Sequence, residues 1–479
     1  MYSSIPNLTP VAAELSLLIF INVILLVDVY FGTRWRNLTY QLTQIAIVAT
    51  ALLSISLTPA SAIISFHGHY ISDPLSGALK VAILLICYYA FFYLRTYLRE
   101  RDELQGEYFI IGLFAVLGML VLVSAHSLLT IYLGLELLSL SMYALVALRR
   151  ESVLACEAAM KYFVLGALAS GMLLYGMSLI YGTTTSLDLT EIRRVALESG
   201  HSNITLMLGL VFVVVGVAFK LGAAPFHMWV PDVYEGAPTG VTLFIGTAPK
   251  VAAFGMLVRL LIDGLEPLQA DWGQMLIILS VLSMGIGNIV AIAQRNIKRM
   301  LAYSTIAHAG FLFLGLTTAT AEGYASAMFY IITYALMAAG SFALVIGLGR
   351  KGHEADKIDD FKGLFRKHPW FAFMTMILML SMAGVPPFLG FWAKWGVLQT
   401  VIDSGNTWLA VLAVVFSVMG LFYYLRIVRF VYFDDPESEV EFLPSQDFRI
   451  MFSTNALAIL LLGLFPSALM SISRLAFAG

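Results

Sequence analysis

Apolar runs of about 20 residues, divided by short polar punctuation, recur along the whole chain, as in membrane-crossing helices. They fall near 10–31, 38–59, 73–97, 107–123, 126–148, 155–181, 204–225, 238–262, 273–294, 298–317, 322–348, 369–403, 405–433 and 449–473. The pattern predicts an all-α polytopic membrane protein with about 14 transmembrane helices. Basic residues test that count, because cytoplasmic loops carry an excess of Lys and Arg. With the N-terminus outside, the alternation gathers most of the 28 basic residues, from Arg34, Arg36 and Lys351 to Arg449, in the loops of one side. The other side keeps only Arg193, Arg194, Arg259 and Arg474. Both termini are therefore expected on the outer, periplasmic face.

Two runs contain helix breakers. Gly222-Ala-Ala-Pro225 interrupts the segment around Lys220, and Pro386-Pro387 interrupts the segment around Lys394. Proline removes a donor and clashes with an earlier carbonyl, and irregular backbone at membrane depth is tolerated only inside protein or beside a wet cavity. Paired broken helices in two halves of a chain point to inverted repeats. The spacing of the breaks, about five helices, predicts two inverted five-helix repeats, each containing a proline-broken helix. The expected organisation is an N-terminal three-helix segment (1–105), a first repeat (106–265), a second repeat (266–433) and a C-terminal transmembrane helix (434–479).

Composition excludes a soluble domain with one anchor. The 479 residues are 60% hydrophobic and only 12% charged, against about 25% in soluble domains, and mean hydropathy is +0.86. A net charge of −2 offers nothing to nucleic acid. Cys87 and Cys156 both sit in apolar runs, where no disulfide or cluster ligation is expected. The opening MYSSIPNLTPVAAE lacks a basic leader, so the first helix is expected to be a retained span.

Charges inside this apolar chain therefore carry meaning. Glu136 and Lys250 lie near mid-bilayer by residue count, and Lys220 and Lys394 adjoin the breaks. An intramembrane charge costs roughly 2.5–3.5 kcal/mol on insertion scales and marks an ion or proton path. A lysine in a low-dielectric site loses its preference for the charged form, and a nearby carboxylate restores it. A Glu–Lys pair is thus a tunable proton holder. Ser139 and Tyr143 extend the Glu136 face, and Tyr303, Ser304, Thr305 and His308 could bridge gaps through water. Each residue has a structural rival: Glu136 and Lys220 as a static ion pair, His308 as a satisfied core histidine, and Lys394, Lys161 and Lys80 as snorkelling residues. His227 is either a lining of a proton entry or a loop residue. His67 and His69 read as surface residues. The polar segment 349–368 reads as a solvated connector, and 187–200 as a surface helix capped by Asp188 or Thr190.

The stretches LGLELLSLSMYALVALRRES, FKLGAAPFHMWVPDVYEGAPT, GTAPKVAAFG, NIKRMLAYSTIAHAGF and MAGVPPFLGFWAKW resemble the antiporter-like membrane subunits of bacterial respiratory complex I. The resemblance runs from about residue 73 to 433. It implies a proton relay along the membrane plane through Glu136, Lys220, Lys250 and Lys394, with Lys161, Tyr303, His308 and His227 in support. It further implies a subunit of the NADH:quinone oxidoreductase translocase in the bacterial inner membrane, beside sister antiporter-like subunits and lipids. NADH, FMN, iron–sulfur clusters and quinone would belong to partner subunits, and no cofactor is expected in this chain. The alternatives are a subunit of a multi-component cation/proton antiporter, and a passive scaffold whose buried charges only hold helices together.

Overall fold

The computed structural model describes residues 7–32, 35–199, 202–350, 354–435 and 445–478. Arg34, Lys351 and the extreme termini, which entered the orientation argument, lie outside the described residues, as does the side chain of Arg36. In chain order the helices are α1 (Ala12–Phe31), α2 (Arg36–Leu57), α3 (Pro74–Arg99), α4 (Glu107–Val123), α5 (Leu128–Ala147), α6 (Val153–Thr184) and α7 (Leu189–Ser199). There follow α8 (Ile204–Leu221), α9 (Trp229–Gly236), α10 (Thr239–Ile245), α11 (Ala248–Leu257), α12 (Gln269–Ala293), α13 (Ile297–Thr317) and α14 (Ala321–Leu348). The last are α15 (Leu364–Lys367), α16 (Pro369–Ala383), α17 (Leu389–Asp403), α18 (Thr407–Phe433), α19 (Gln446–Leu464) and α20 (Ser467–Leu475).

Among the described residues, twelve helical segments are long and apolar enough to cross a membrane. The predicted spans 107–123 and 369–403 are not among them. The first is a 17-residue helix, α4, and the second divides into α16 and α17, of 15 residues each.

The polar punctuation in the sequence supplies the caps. First-turn N–H groups have no partner inside a helix and no water to turn to in a bilayer. Asp73, Ser127, Ser152, Asn203, Asn296 and Thr320 each accept from a first-turn amide with the side chain. Asp188 accepts from the amides of Thr190 and Glu191, so it caps α7 as its residue type suggested. A small hairpin, β1 (Ile63–Ser65) and β2 (Tyr70–Ser72), lies in the loop after α2, an element that the apolar runs could not reveal. His69 belongs to this loop, and its Nδ1 lies 2.8 Å from Ser127 Oγ.

Burial ranks the helices. The most apolar stretch of Thr239–Gly264 lies wholly inside the protein, and the corresponding stretches of Ile297–Thr317 and Ala321–Leu348 are 94% and 89% buried. The spans of α1, α6, α18 and α19 are only one-third buried and turn leucines, valines and isoleucines outward. Close helix contact needs small residues: a Cβ on Gly118 would stand 2.7 Å from the Leu138 amide, where α4 meets α5. The centre of the bundle is therefore α10–α11, α13 and α14, and any enclosed polar path must pass among them.

Candidate functional site

Each of the three inner lysines stands at an interrupted helix. Helix α8 stops at Leu221 because Gly222 takes φ +74°, and α16 stops at Ala383 because Gly384 takes φ +84°. Both segments read G-x-x-P-F, at 222–226 and 384–388. Both close alike: the Ala223 amide reaches Ala218 O at 2.8 Å, and the Val385 amide reaches Leu380 O at 3.0 Å. A third interruption lies between α10 and α11, where Pro249 opens the second helix and Lys250 follows it. The predicted span 238–262 passed over this break as continuous.

Breaking a helix frees carbonyls, and the lysines take them. Lys250 Nζ donates to Leu221 O at 3.0 Å and to Lys220 O at 3.4 Å. Lys394 Nζ donates to Ala383 O at 2.9 Å and to Ser417 Oγ at 2.9 Å. Leu221 and Ala383 each immediately precede the glycine of the break. An ammonium thus sits on the negative end of each half-helix, where the aligned peptide dipoles favour a cation. Lys220 precedes its break on α8 and Lys394 follows its break on α17, so the geometric counterpart of Lys394 is Lys250. Aromatic faces support both cations: Lys250 lies 5.0 Å from the Trp229 ring centre and Lys394 5.3 Å from that of Phe311.

Glu136 and Lys220 do not form a direct ion pair. Glu136 accepts a hydrogen bond from Ser170 on α6, and Lys220 donates to Ser139 at 2.8 Å, one turn along α5 from Glu136. Glu136 is only half-buried, because its face of α5 lies at the edge of the bundle. A void of about 20 Å³ beside Ser139, Ser170 and Lys220 has room for one water.

The second half of the chain supplies a hydroxyl–imidazole network. His308 on α13 has Nδ1 2.6 Å from Tyr330 OH and Nε2 3.2 Å from Tyr424 OH. Tyr424 OH lies 2.5 Å from Ser304 Oγ, and Tyr334 OH donates to Thr305 Oγ1 at 2.7 Å. A void of about 10 Å³, lined by His308, Lys394, Ser417 and Asn288, separates this network from Lys394. Of the tenth-span residues proposed from sequence, Ser304 and His308 join the network and Thr305 forms a separate pair with Tyr334 beside it, whereas Tyr303 is half-buried and takes no part in it. Sequence reasoning missed Tyr330, Tyr334, Tyr424, Ser170 and Ser417. Tyr330 and Tyr334 repeat at i, i+4 on a largely apolar helix, a signal that could have exposed them.

The supporting lysine and histidine lie elsewhere. Lys161 is exposed enough to meet Glu157 and Asp232, each at 2.8 Å, and Arg299 pairs with Asp232 and Glu235. Burial alone would raise the Asp232 carboxyl, but Lys161 and Arg299 hold it below the usual carboxylate range. His227 is half-buried in the turn after Pro225, and burial pushes its imidazole below its ordinary value. Three further basic residues prove to be enclosed, among them Arg259, placed from sequence on the outer side, and Lys80, weighed as a snorkelling residue. Lys298 is buried, with Nζ donating to Ala237 O at 3.1 Å. Arg259 is buried and pairs with Asp73 and Asp263, each at 2.8 Å. Lys80 is 2.7 Å from Glu14, and both meet the Tyr70 hydroxyl, which makes a closed pin between α1 and α3. Among the described residues, no group of three or more His, Cys, Asp or Glu could hold a metal ion.

Comparison with known proteins gives this arrangement a family. Residues 125–420 match the family described as "NADH:quinone oxidoreductase/Mrp antiporter, TM". The NADH-quinone oxidoreductase subunit N of Thioalkalivibrio sulfidiphilus is 53% identical over 474 residues, covering 99% of both chains. That of Nitrosomonas europaea is 51% identical over 469 residues, covering 98% of both. The chain belongs to the subunit N family of NADH-quinone oxidoreductases. A chain of respiratory complex I from Thermus thermophilus with bound aureothin superposes with a TM-score of 0.82 at 32% identity, covering 96% of this chain and 98% of that one. A chain of the Mrp complex from Dietzia shares the fold, with a TM-score of 0.83 at 19% identity over 98% of this chain and 97% of that one. The matched family region contains Glu136, Lys220, Lys250 and Lys394, as well as the α13 network.

Proposed function

We propose that the chain is a proton-translocating membrane subunit of NADH:quinone oxidoreductase, working through a lateral relay of Glu136, Lys220, Lys250 and Lys394. The observation that carries this reading is the set of three lysines without carboxylate salt bridges, each beside a helix interruption, with hydroxyls and an imidazole between them. A static scaffold would pair its buried cations with carboxylates, as Lys80 pairs with Glu14. Lysines held by carbonyls and hydroxyls can instead lose and regain a proton without stranding a buried carboxylate. The full-length likeness to subunit N favours the oxidoreductase over a separate antiporter assembly.

In this role electron transfer from NADH to quinone takes place in partner subunits, which hold the FMN, iron–sulfur clusters and quinone site. The chain sits in the bacterial inner membrane with both termini periplasmic, against sister antiporter-like subunits and lipid. The equivalent G-x-x-P-F breaks support inverted repeats over 106–265 and 266–433, flanked by 1–105 and 434–479. Moving one charge against 100 mV takes about 2.3 kcal/mol, so the relay needs energy delivered by the rest of the complex. Lys220→Ala in the assembled complex should leave NADH oxidation by the hydrophilic subunits intact and abolish coupled proton uptake into inside-out vesicles. Full pumping by that variant would refute the role.

A further inference from the structure

The relay has a gap at its centre. Lys250 closes the first group on α11, the Thr305–Tyr334 pair beside the His308 network stands on the far side, and no hydrogen bond joins the two among the described residues. Tyr234, on α9, occupies this seam. Its side chain is wholly buried, yet its hydroxyl has no hydrogen-bond partner among the described residues. Native structures nearly always satisfy such a group, with protein or with water.

The surroundings of that hydroxyl define both ends of a bridge. On one side it approaches Thr305 and Tyr334. Thr305 Oγ1 already accepts from Tyr334 at 2.7 Å and donates to Leu301 O at 2.9 Å, which leaves one acceptor site open. On the other side, a Cβ placed on Gly246 would come 3.3 Å from Tyr234 OH, so the phenol lies against the break between α10 and α11 that Lys250 follows. Trp229 is shared: its ring lies 5.0 Å from Lys250 Nζ and 6.4 Å from the Tyr234 ring. The Lys250 ammonium has three N–H groups and two carbonyl contacts, which leaves a donor free.

We propose that Tyr234 is the proton bridge between the two halves of the relay, linked to Lys250 by an internal water and to the Thr305–Tyr334 pair on the other side, where the Tyr334 ring lies 4.9 Å from that of His308. This rests on the relay reading above. The step is a hop: the Lys250 ammonium gives a proton to the water, and the water passes one to the phenol oxygen. The phenol's own proton passes to Thr305 Oγ1, the Thr305 hydroxyl turns its former proton from Leu301 O to Tyr334 OH, and Tyr334 releases its proton on the His308 side, so every oxygen ends neutral, no bond to carbon changes and one positive charge advances. Gly246 is part of the device, because a side chain there would fill the space beside the phenol.

The test uses the assembled complex in proteoliposomes. Tyr234→Phe keeps the ring and removes the hydroxyl. It should preserve assembly on native gels and lower coupled turnover at least about tenfold, below the usual range for positioned proton-transfer groups because other steps share the limit. Tyr234→His, which restores a proton-carrying atom but packs worse, should pump better than Y234F and respond to pH. Equal losses in both variants would mean a packing role and overturn the proposal. Normal pumping by Y234F beside a defective Lys250→Ala variant would overturn the bridge and leave the relay. Normal pumping by both would overturn the relay itself. If Y234F fails to assemble, Thr305→Val removes the acceptor from the other side and is judged by the same criteria.

Discussion

Replacing Lys394 by methionine separates a proton carrier from a structural cap. The side chain is about one-tenth exposed and makes two hydrogen bonds at 2.9 Å, to Ala383 O and Ser417 Oγ. Bonds from a charged donor contribute about 1.5–3 kcal/mol each, so their loss costs about 3–6 kcal/mol. Against this stands the desolvation of a buried ammonium with no carboxylate salt bridge, a penalty of several kcal/mol that methionine removes. Methionine has nearly the same length and fills the same space beside Phe311. The two terms nearly cancel, and Lys394→Met should change stability by no more than about 2 kcal/mol in either direction. Function should behave differently, because methionine can neither hold nor release a proton. The thermal midpoint of the purified complex should therefore move only a few degrees, while NADH-driven dye quenching in inside-out vesicles collapses. A midpoint that falls steeply while the surviving complex still pumps would make Lys394 a cap alone and refute the reasoning.

Backbone and acid sensitivity give further checks. Gly384→Ala forces a side chain into φ +84° with its Cβ 2.7 Å from Lys394 Cδ. It should lose about 1–2 kcal/mol from the backbone and also disturb pumping. Gly405→Ala has the same φ of +84° but meets nothing within 4 Å, so it should show the backbone cost with pumping intact. Comparing the two in thermal-shift and pumping assays isolates the lysine contact, and equal pumping would discount it. Glu354 ties the loop after α14 to Tyr97 and Arg101 of the α3 end and to Arg149 beyond α5. Burial would raise its carboxyl, but Arg101, then the Tyr97 hydrogen bond and Lys298, hold it below its ordinary 4.5. A lowered carboxyl stabilises above its unfolded value and loses that contribution as pH falls through the folded one. Glu354→Gln should therefore destabilise the complex at pH 7 and converge with the parent only in strong acid. A thermal-shift difference that grew on acidification would contradict this sign.

Much of this molecule was legible in its pattern of residue types, for definite physical reasons. A bilayer admits about 20 apolar residues per crossing and penalises every unpaired polar group. Apolar runs and proline breaks were therefore strong signals, and Glu136, Lys220, Lys250 and Lys394 stood out against a nearly uncharged background. The same reasoning missed the hairpin at 63–72 and the break at Pro249, because one is too short and the other too apolar to interrupt the pattern. It also weighed Lys80 as a snorkelling residue, whereas Glu14, on a helix distant in sequence, reaches it.

Partnership was decided only by the fold. Hydrogen bonds depend on ångström distances between helices, and residue spacing along one helix does not contain them. Packing thus turns the pairing of Glu136 with Lys220 into separate bonds to Ser170 and Ser139. It matches Lys394 with Lys250 through the carbonyls that their neighbouring half-helices leave free. It also sets His308 among Tyr330, Tyr424 and Lys394 and leaves the Tyr234 hydroxyl without a partner at the seam. The chain's chemistry determined that a polar path had to be enclosed, because lipid cannot solvate it. The tertiary structure determined its order and its gaps, because only packing brings those helices within hydrogen-bonding distance.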